Sequence, residues 1–359
     1  MVVFFVLLFV PMLIQHVVIN KRYAIDYEKK NKRALTFFFI ALTVLVMLRH
    51  ESVGNDTRSY SMFFERYAET SWASLSNAPL EIGYLYFNKL ISLISKEPQF
   101  FLAVSAIAVS LMMYPTYRRS CEDASLTVML FCIMSTFVMM FSGIRQMLAI
   151  GIGFIAYEFT RKKKLIPFVI AVCLALSFHT SAFMLVFMYP LYHARITKKW
   201  LYVVIPALIA VFIFNRPIFS VLAMLIERYT NYAGDIASTG AYTMLILFTI
   251  FAVFSFVIPD EKRIDKETIG LRNFLLFSLV IQMFAPLHTL AMRMNYHYII
   301  FIPLLLPKVI SFRNKRWEQV AVLGRHVMVV FFFLYFFFSA MGSGNLNVFP
   351  YHFFWESVA

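Results

Sequence analysis

The stretch that decides the fold is residues 125–160, SLTVMLFCIMSTFVMMFSGIRQMLAIGIGFIAYEFT. It consists of two apolar runs, 125–142 and 144–160, that meet at Gly143 and contain almost no charge. An α-helix needs about 20 apolar residues to cross the hydrocarbon core of a bilayer, and somewhat fewer in a tightly packed bundle. The pattern therefore predicts two membrane-spanning helices joined by a short polar connection.

Similar apolar runs recur along the whole chain and predict about twelve spans. Lipid admits only helices or closed barrels as spanning structures, and these runs are too long for barrel strands. We therefore predict an all-α, polytopic integral membrane helical bundle that occupies 1–359 as a single domain. The runs centre near residues 3–19, 34–48, 99–116, 125–142, 144–160, 165–178, 181–194, 200–214, 240–258, 273–290, 294–310 and 327–341.

The composition of the 359-residue chain agrees with this prediction. Hydrophobic residues make up 61%, aromatic residues 18% and charged residues only 14%, and the mean hydropathy is +0.73. Soluble domains keep about 25% of their residues charged. No room remains for a separate soluble catalytic domain, and the three scattered cysteines predict neither a disulfide framework nor a metal site.

The basic residues orient the predicted spans. If the amphipathic stretch 81–95 crossed the membrane, the basic loop 161–164 would lie opposite the basic segment 21–33, against the positive-inside rule. If 81–95 instead lies in the interface or re-enters, most of the 33 Lys and Arg residues fall on the inner side. The excess positive charge then indicates orientation and contact with anionic membrane lipid, and nucleic acid is not an expected partner.

This topology places both termini outside, in a multi-pass protein of the inner (plasma) membrane. Three outer segments follow from it. The segment 49–98 holds interfacial or re-entrant helices, 215–239 is an outer loop, and 342–359 is an outer C-terminal tail. Helix 57–70 and the stretch 81–95 are expected to cover a site on this side.

The first polar cluster follows the second span. Gly54-Asn55-Asp56 is a turn signal, and Asp56 or Thr57 is placed to cap a helix that carries Tyr60. Arg58 lies in the same segment. The cluster is either a capped interfacial helix or a site that presents the Asp56 carboxylate at the outer surface.

The second cluster, Arg145-Gln146, separates the two apolar runs quoted above. Arg145 has no acidic neighbour in sequence, so its guanidinium needs an anion from elsewhere in the fold or from a ligand. A planar guanidinium with five donors suits a phosphate group. The alternative is an arginine that simply extends its charge to the membrane surface.

Two further clusters contain histidine. His179 and Ser181 lie between two predicted spans, where a histidine acts as acid, base or oriented donor, or as a structural interhelical group. Arg293 and His297 share a helical face at i, i+4, with Tyr296 beside them. Arg293 either pairs within the fold or, together with Arg145, clamps a diphosphate.

Several familiar motifs are absent from the sequence. It contains no HExxH, no Gly-rich P-loop, no GxSxG and no DxD pair. ATP-driven transport and chemistry on soluble nucleotide sugars are therefore disfavoured. We expect no cofactor and no metal.

The ordered polar motifs resemble the EpsG family of Wzy-type polysaccharide polymerases, from about residue 49 to the C-terminus. The resemblance implies glycosyl transfer on the periplasmic or exterior face of the bacterial inner membrane, building O-antigen or exopolysaccharide. The chain departs from the family pattern after Arg293, where His297 stands in place of an expected aromatic. The matching motifs are Gly54-x-Asp56-x3-Tyr60-x3-Phe64, Glu81-x-Gly83-Tyr84-x3-Asn88, Ser142-Gly143-Ile144-Arg145-Gln146-x2-Ala149, Phe178-His179-x-Ser181-Ala182 and Pro350-Tyr351-x-Phe353.

The reaction that the resemblance implies needs two kinds of catalytic group. Arg145 and Arg293 would stabilise the departing lipid diphosphate, and Asp56 or His179 would accept the proton of the attacking hydroxyl. The implied partners are undecaprenyl-diphosphate-linked oligosaccharides as donor and acceptor, membrane lipid and a polysaccharide chain-length regulator. An O-antigen ligase and a lipid-linked oligosaccharide flippase or transporter remain alternatives. The expected substrate-binding residues are Arg58, Tyr60, Glu81, Tyr84, Gln146, Ser181, Tyr296, His297 and Tyr351.

Overall fold

A computed structural model describes residues 2–16, 27–225, 240–340 and 346–358. Within these ranges the chain forms helices and no strand, so the predicted all-α class is confirmed for the described residues. Part of the predicted outer loop 215–239, from 226 onward, lies outside them. The α-helices are α1 Val2–His16, α2 Tyr27–Met47, α3 Thr57–Glu69, α4 Ile82–Ser92, α5 Pro98–Ser120, α6 Ala124–Ile133, α7 Ser135–Ser142, α8 Ile144–Arg161, α9 Leu165–Leu176, α10 Met188–His193, α11 Leu201–Ile213, α12 Asn215–Leu225, α13 Gly240–Val257, α14 Lys266–Gln282, α15 Thr289–Ile299, α16 Ile302–Ser311 and α17 Glu318–Tyr335.

Few of these helices are long and apolar enough to cross a membrane. In the described ranges two helices qualify, Pro98–Ser120 and Lys315–Phe338, and two bent helix pairs raise the number to four if each pair is one span. The run 125–142 is one such pair, because α6 and α7 meet at a bend of 67°. Most of the other runs form helices shorter than 18 residues or helices with more charge. The bundle of about twelve spans therefore stays a prediction.

The chain divides into two compact units. Unit 1 comprises Met1–Val186 and Leu323–Ala359, and unit 2 comprises Phe187–Val322. The single polytopic domain expected from the sequence stays a prediction.

In unit 1, the helix α2 packs against α1 and α5, and α8 packs against α9 and α5. Aromatic side chains connect α1 to α7. Phe4 is fully buried and makes edge contacts with Phe137 and Phe141, at ring-centroid distances of 6.1 and 6.2 Å. Such edge-to-face pairs add to the free energy gained by burying the rings.

A buried polar network joins α1, α6 and α17 in unit 1. Asp123 caps α6 by accepting a hydrogen bond from the Leu126 amide at 3.1 Å, and it pairs with Arg325 of α17 at 2.5 Å. Gln15 of α1 donates to the same carboxylate at 3.0 Å and accepts from the Ser125 amide at 2.7 Å. Buried polar groups are stable when they are hydrogen-bonded in this way. The sequence contains no local signal for the contacts of Asp123 with Gln15 and Arg325, because these residues are far apart along the chain.

Unit 2 contains α10 to α16, and most residues of α14 are buried. Arg272 of α14 is fully buried, pairs with Glu261 at 2.6 Å and lies 4.0 Å from the centre of the Phe256 ring. In contrast, α11 has no buried residue. Its apolar side chains are exposed, as expected for a helix whose solvent is lipid.

Candidate functional site

Three helices of unit 1 begin close to one another. Asp56, Glu81 and Gly143 are the N-cap residues of α3, α4 and α8. The Asp56 amide donates to Ser142 Oγ at 3.3 Å, which joins the first and third helix starts. The Gly83 amide donates to the Ser177 carbonyl at 2.8 Å, which joins the second to the end of α9. We call the group Asp56, Tyr60, Glu81, Tyr84, Arg145, Gln146, His179 and Ser181 the helix-start cluster.

Gly54 allows the loop before α3 to reach α7. Its φ is +93°, and a Cβ built on it would lie 2.3 Å from the Phe141 carbonyl oxygen. Only glycine combines this backbone conformation with so close an approach. The next helix residue, Thr57, donates its hydroxyl to that same Phe141 carbonyl at 3.0 Å. The turn predicted from the sequence is thus the element that positions Asp56.

Arg145 and Glu81 form an ion pair at the centre of the cluster. Arg145 Nη1 donates to Glu81 Oε2 at 2.5 Å, and the two side chains are 23% and 15% exposed. The other carboxylate oxygen of Glu81 accepts from the Thr180 amide at 3.3 Å. The fold therefore supplies the anion that Arg145 lacks in its local sequence. Glu81 also links Arg145 to the segment that carries His179.

Two buried tyrosines flank the Arg145 guanidinium. Its central carbon lies 5.9 Å from the ring centres of both Tyr60 and Tyr84, and the two rings are 5.9 Å apart. Arg145 and Tyr60 also interact electrostatically. Burial raises the pKa of Tyr60 above its ordinary value, with Arg145 opposing the shift, and burial raises the pKa of Tyr84 strongly. Both tyrosines are therefore neutral phenols that hold the guanidinium in place, and contact with sugar rings stays a prediction.

His179, Ser181 and Gln146 form a hydrogen-bonded chain. The Ser181 amide donates to His179 Nδ1 at 3.1 Å, which makes Nδ1 an acceptor. Ser181 Oγ lies 2.7 Å from the same nitrogen and accepts from Gln146 Nε2 at 3.3 Å. A neutral imidazole in this arrangement carries its proton on Nε2. His179 and Ser181 are two residues apart in the sequence, whereas Gln146 is brought to them by the fold.

Asp56 occupies the predicted N-cap position, but its side chain makes no capping hydrogen bond. The carboxylate is exposed and acts electrostatically on Tyr60. Arg58 is also exposed and lies 3.8 Å from Glu51, a loose surface pair. The Asp56 carboxylate is therefore presented at the edge of the cluster.

The C-terminal segment holds the loop that carries Asp56. The amides of Gly54 and Asn55 donate to the carbonyls of Asn347 and Leu346 at 3.0 and 2.8 Å. Tyr351 donates its hydroxyl to the Leu45 carbonyl at 2.7 Å. Tyr351 is thus placed at the end of α2, beside the loop. A role for it in binding substrate stays a prediction.

The predicted residues Arg293, Tyr296 and His297 lie on α15 of unit 2. Arg293 is exposed, whereas Tyr296 and His297 are 8% and 1% exposed. His288 caps this helix, since its Nδ1 accepts from the Leu290 amide at 3.0 Å. The pairing of Arg293 with Arg145 around a diphosphate stays a prediction.

Among the described residues, no group of three or more His, Cys, Asp or Glu side chains is arranged to hold a metal ion. The arrangement in unit 1 instead offers a fixed cation, an oriented imidazole and an exposed carboxylate. These are the elements of acid–base chemistry on a substrate with an anionic leaving group.

The comparison with known families agrees with the sequence motifs. The family model of EpsG matches residues 32–353 of the 359-residue chain, which confirms the resemblance noted above. Neither curated proteins nor solved structures provide a match.

Proposed function

Since the chain belongs to the EpsG family, we propose that it is a membrane glycosyltransferase that polymerises undecaprenyl-diphosphate-linked oligosaccharide repeat units into a surface polysaccharide. The family and the apolar helices identify a membrane protein of the polysaccharide-polymerase type. The lipid-linked substrate, the outer-face orientation and the roles of individual residues are the content of the proposal.

The observation that carries the proposal is the position of Arg145. Glu81 pairs with its guanidinium, which lies beside the Tyr60 ring, and Glu81 also accepts a hydrogen bond from the Thr180 amide next to His179. A guanidinium has five N–H donors, so it retains donors for a phosphate after these contacts. A fixed cation stabilises charge that develops on a leaving group without reorganising during the reaction.

In the proposed reaction, a hydroxyl of the acceptor unit attacks the anomeric carbon of the donor unit. The new glycosidic C–O bond forms as the bond between the anomeric carbon and the diphosphate oxygen breaks. The bonding electrons leave with the lipid diphosphate beside Arg145, and the hydroxyl proton passes to a base. No nucleotide or metal is required.

The geometry favours Asp56 over His179 as that base. His179 Nδ1 accepts from the Ser181 amide, so the neutral ring carries hydrogen at Nε2. To accept a proton at Nε2, the ring would first have to adopt the other tautomer and lose this contact. His179 is therefore assigned as the oriented donor to substrate oxygen. The exposed carboxylate of Asp56 makes no capping bond and is available to accept the proton.

A reconstituted assay tests the proposal. Purified protein in detergent is given undecaprenyl-diphosphate-linked repeat units, and the products are resolved on a gel. We expect a ladder of lengthening lipid-linked glycan that Arg145→Ala and Arg145→Lys abolish or shorten. The matched control is Arg66→Ala, an exposed arginine on α3, which should leave the ladder unchanged.

Two outcomes would overturn the proposal. If the units are transferred only to lipid A core, the protein is a ligase. If they cross a vesicle membrane unchanged, it is a transporter.

A further inference from the structure

Arg49 is a buried cation in unit 1 that the proposed reaction does not use. Its side chain is 1% exposed, and its Nη1 donates to the Val46 carbonyl at the end of α2. No carboxylate among the described residues forms an ion pair with it, and its Nε makes no hydrogen bond. Burial lowers the pKa of Arg49 to about 10, which leaves it charged at neutral pH. Burying an unpaired charge costs several kcal/mol, so a counter-ion is expected.

A cavity lies beside this guanidinium. Its volume is about 250 Å³ when the part that opens to the surroundings is counted, and the space that a small sphere can occupy inside it has room for a single small species. Arg49 and Ser105 are its two polar lining residues, and the Ser105 hydroxyl, on a residue 3% exposed, also lacks a hydrogen bond. The remaining lining side chains are apolar, from α2, α5, α7 and α8: Val46, Leu102, Ala106, Val109, Met140, Ile144 and Met147.

The start of α8 adds to the positive character of the cavity. Ile144 and Met147, in the first turn of this 18-residue helix, line the cavity, and the N-cap Gly143 has no side chain to cap the helix. A helix N-terminus carries a partial positive charge and attracts anions. A diphosphate is far too large for the accessible space, so only a single-atom anion is considered as the counter-ion.

We propose that this cavity binds one monovalent halide ion, chloride under ordinary conditions, held by the Arg49 guanidinium and the Ser105 hydroxyl. The two unsatisfied donors then face one acceptor, and the buried positive charge is neutralised within the apolar core. The ion stabilises the junction of α2, α5, α7 and α8, from which Arg145 projects. This inference does not depend on the transferase activity.

The test compares halide and non-halide salts at constant ionic strength. Purified protein is melted in detergent during titration with sodium chloride or sodium bromide against sodium gluconate. We expect a saturable rise in Tm with both halides and none with sulfate. Ser105→Ala should weaken the apparent halide affinity about three- to tenfold, the effect of one lost hydrogen bond. Arg49→Gln should abolish the response, while the exposed Arg66→Gln should not change it.

Crystals grown in bromide supply direct evidence. Anomalous scattering within hydrogen-bond distance of Arg49 would support the site. A Tm that is independent of halide in the wild-type protein, or a cavity that contains water without anomalous signal, would overturn it. Ser105→Ala keeps the test decisive if Arg49→Gln does not fold, because it removes a single buried hydroxyl.

Discussion

Arg145 Nη1 and Glu81 Oε2 are 2.5 Å apart, although the two residues are separated by 64 positions in the sequence. Glu81 is the N-cap of α4 and Arg145 lies in the first turn of α8, so the pair ties two helix starts together. Charges that are partly removed from water interact more strongly than surface charges. The pair therefore fixes the direction of the guanidinium that we assign to the leaving group.

Exchanging the two charges separates their structural role from their catalytic role. Glu81→Ala should lower the rate of polymerisation about 10- to 100-fold, because a misplaced catalytic group costs this much. The double exchange Glu81→Arg with Arg145→Glu should recover much of the Tm lost by either single variant but none of the activity. Recovery of glycan ladders by the exchanged protein would show that the position of the cation is unimportant.

The assignment of the base predicts two different pH profiles. In single-turnover experiments, Asp56→Asn should remove the loss of rate at acidic pH, because the amide that replaces the carboxylate does not bind a proton. His179→Gln should lower the rate at all pH values but keep that acidic loss. Ser181→Ala should reduce the rate about tenfold through weaker orientation of the imidazole. If His179→Gln, and not Asp56→Asn, changes the acidic limb, the two roles are reversed.

The Gly54 turn predicts a large effect of a small substitution. Gly54→Ala places a methyl group 2.3 Å from the Phe141 carbonyl at a φ of +93°, and the backbone conformation alone costs about 1–2 kcal/mol in a residue with a Cβ. Gly153→Ala is the matched control, since its methyl would meet the flexible Leu185 side chain at 3.2 Å. Thermal melting should show a clear loss of stability for Gly54→Ala. For Gly153→Ala, the free energy of unfolding should change by at most about 1 kcal/mol. Equal Tm values would contradict the close approach at Phe141.

The network around Asp123 predicts a stability effect away from the helix-start cluster. Asp123→Ala leaves Arg325 partly buried without its partner and should cost about 3–5 kcal/mol, as for other broken buried pairs. In contrast, Glu69→Gln breaks an exposed pair, whose side chains are 71% and 64% exposed, and should leave the unfolding midpoint unchanged. Chemical denaturation in detergent measures both variants. Similar midpoints for the two would mean that the Asp123 network adds nothing to stability.

Local patterns in the sequence are sufficient to predict the structural features that depend on neighbouring residues. Apolar runs predicted an all-helical chain because lipid leaves few alternatives to the helix. The spacing of Gly54 and Asp56 predicted a turn and a helix start, and the sequence placed His179 and Ser181 together in one polar cluster between two apolar runs. Each involves residues within one or two turns, whose geometry follows from backbone conformation alone.

Tertiary structure decided the partners that are distant in sequence and the lengths of the helices. Helix packing makes Glu81 the anion for Arg145 and Gln146 the donor to Ser181. It also buries Arg49. Hydropathy carries no information about this packing. The run 125–142 is continuous in composition but bends by 67° between α6 and α7, since apolar residues fit a bent helix as well as a straight one. The sequence by itself thus determined the helical class, the family and the candidate side chains, whereas only packing decided which of them meet.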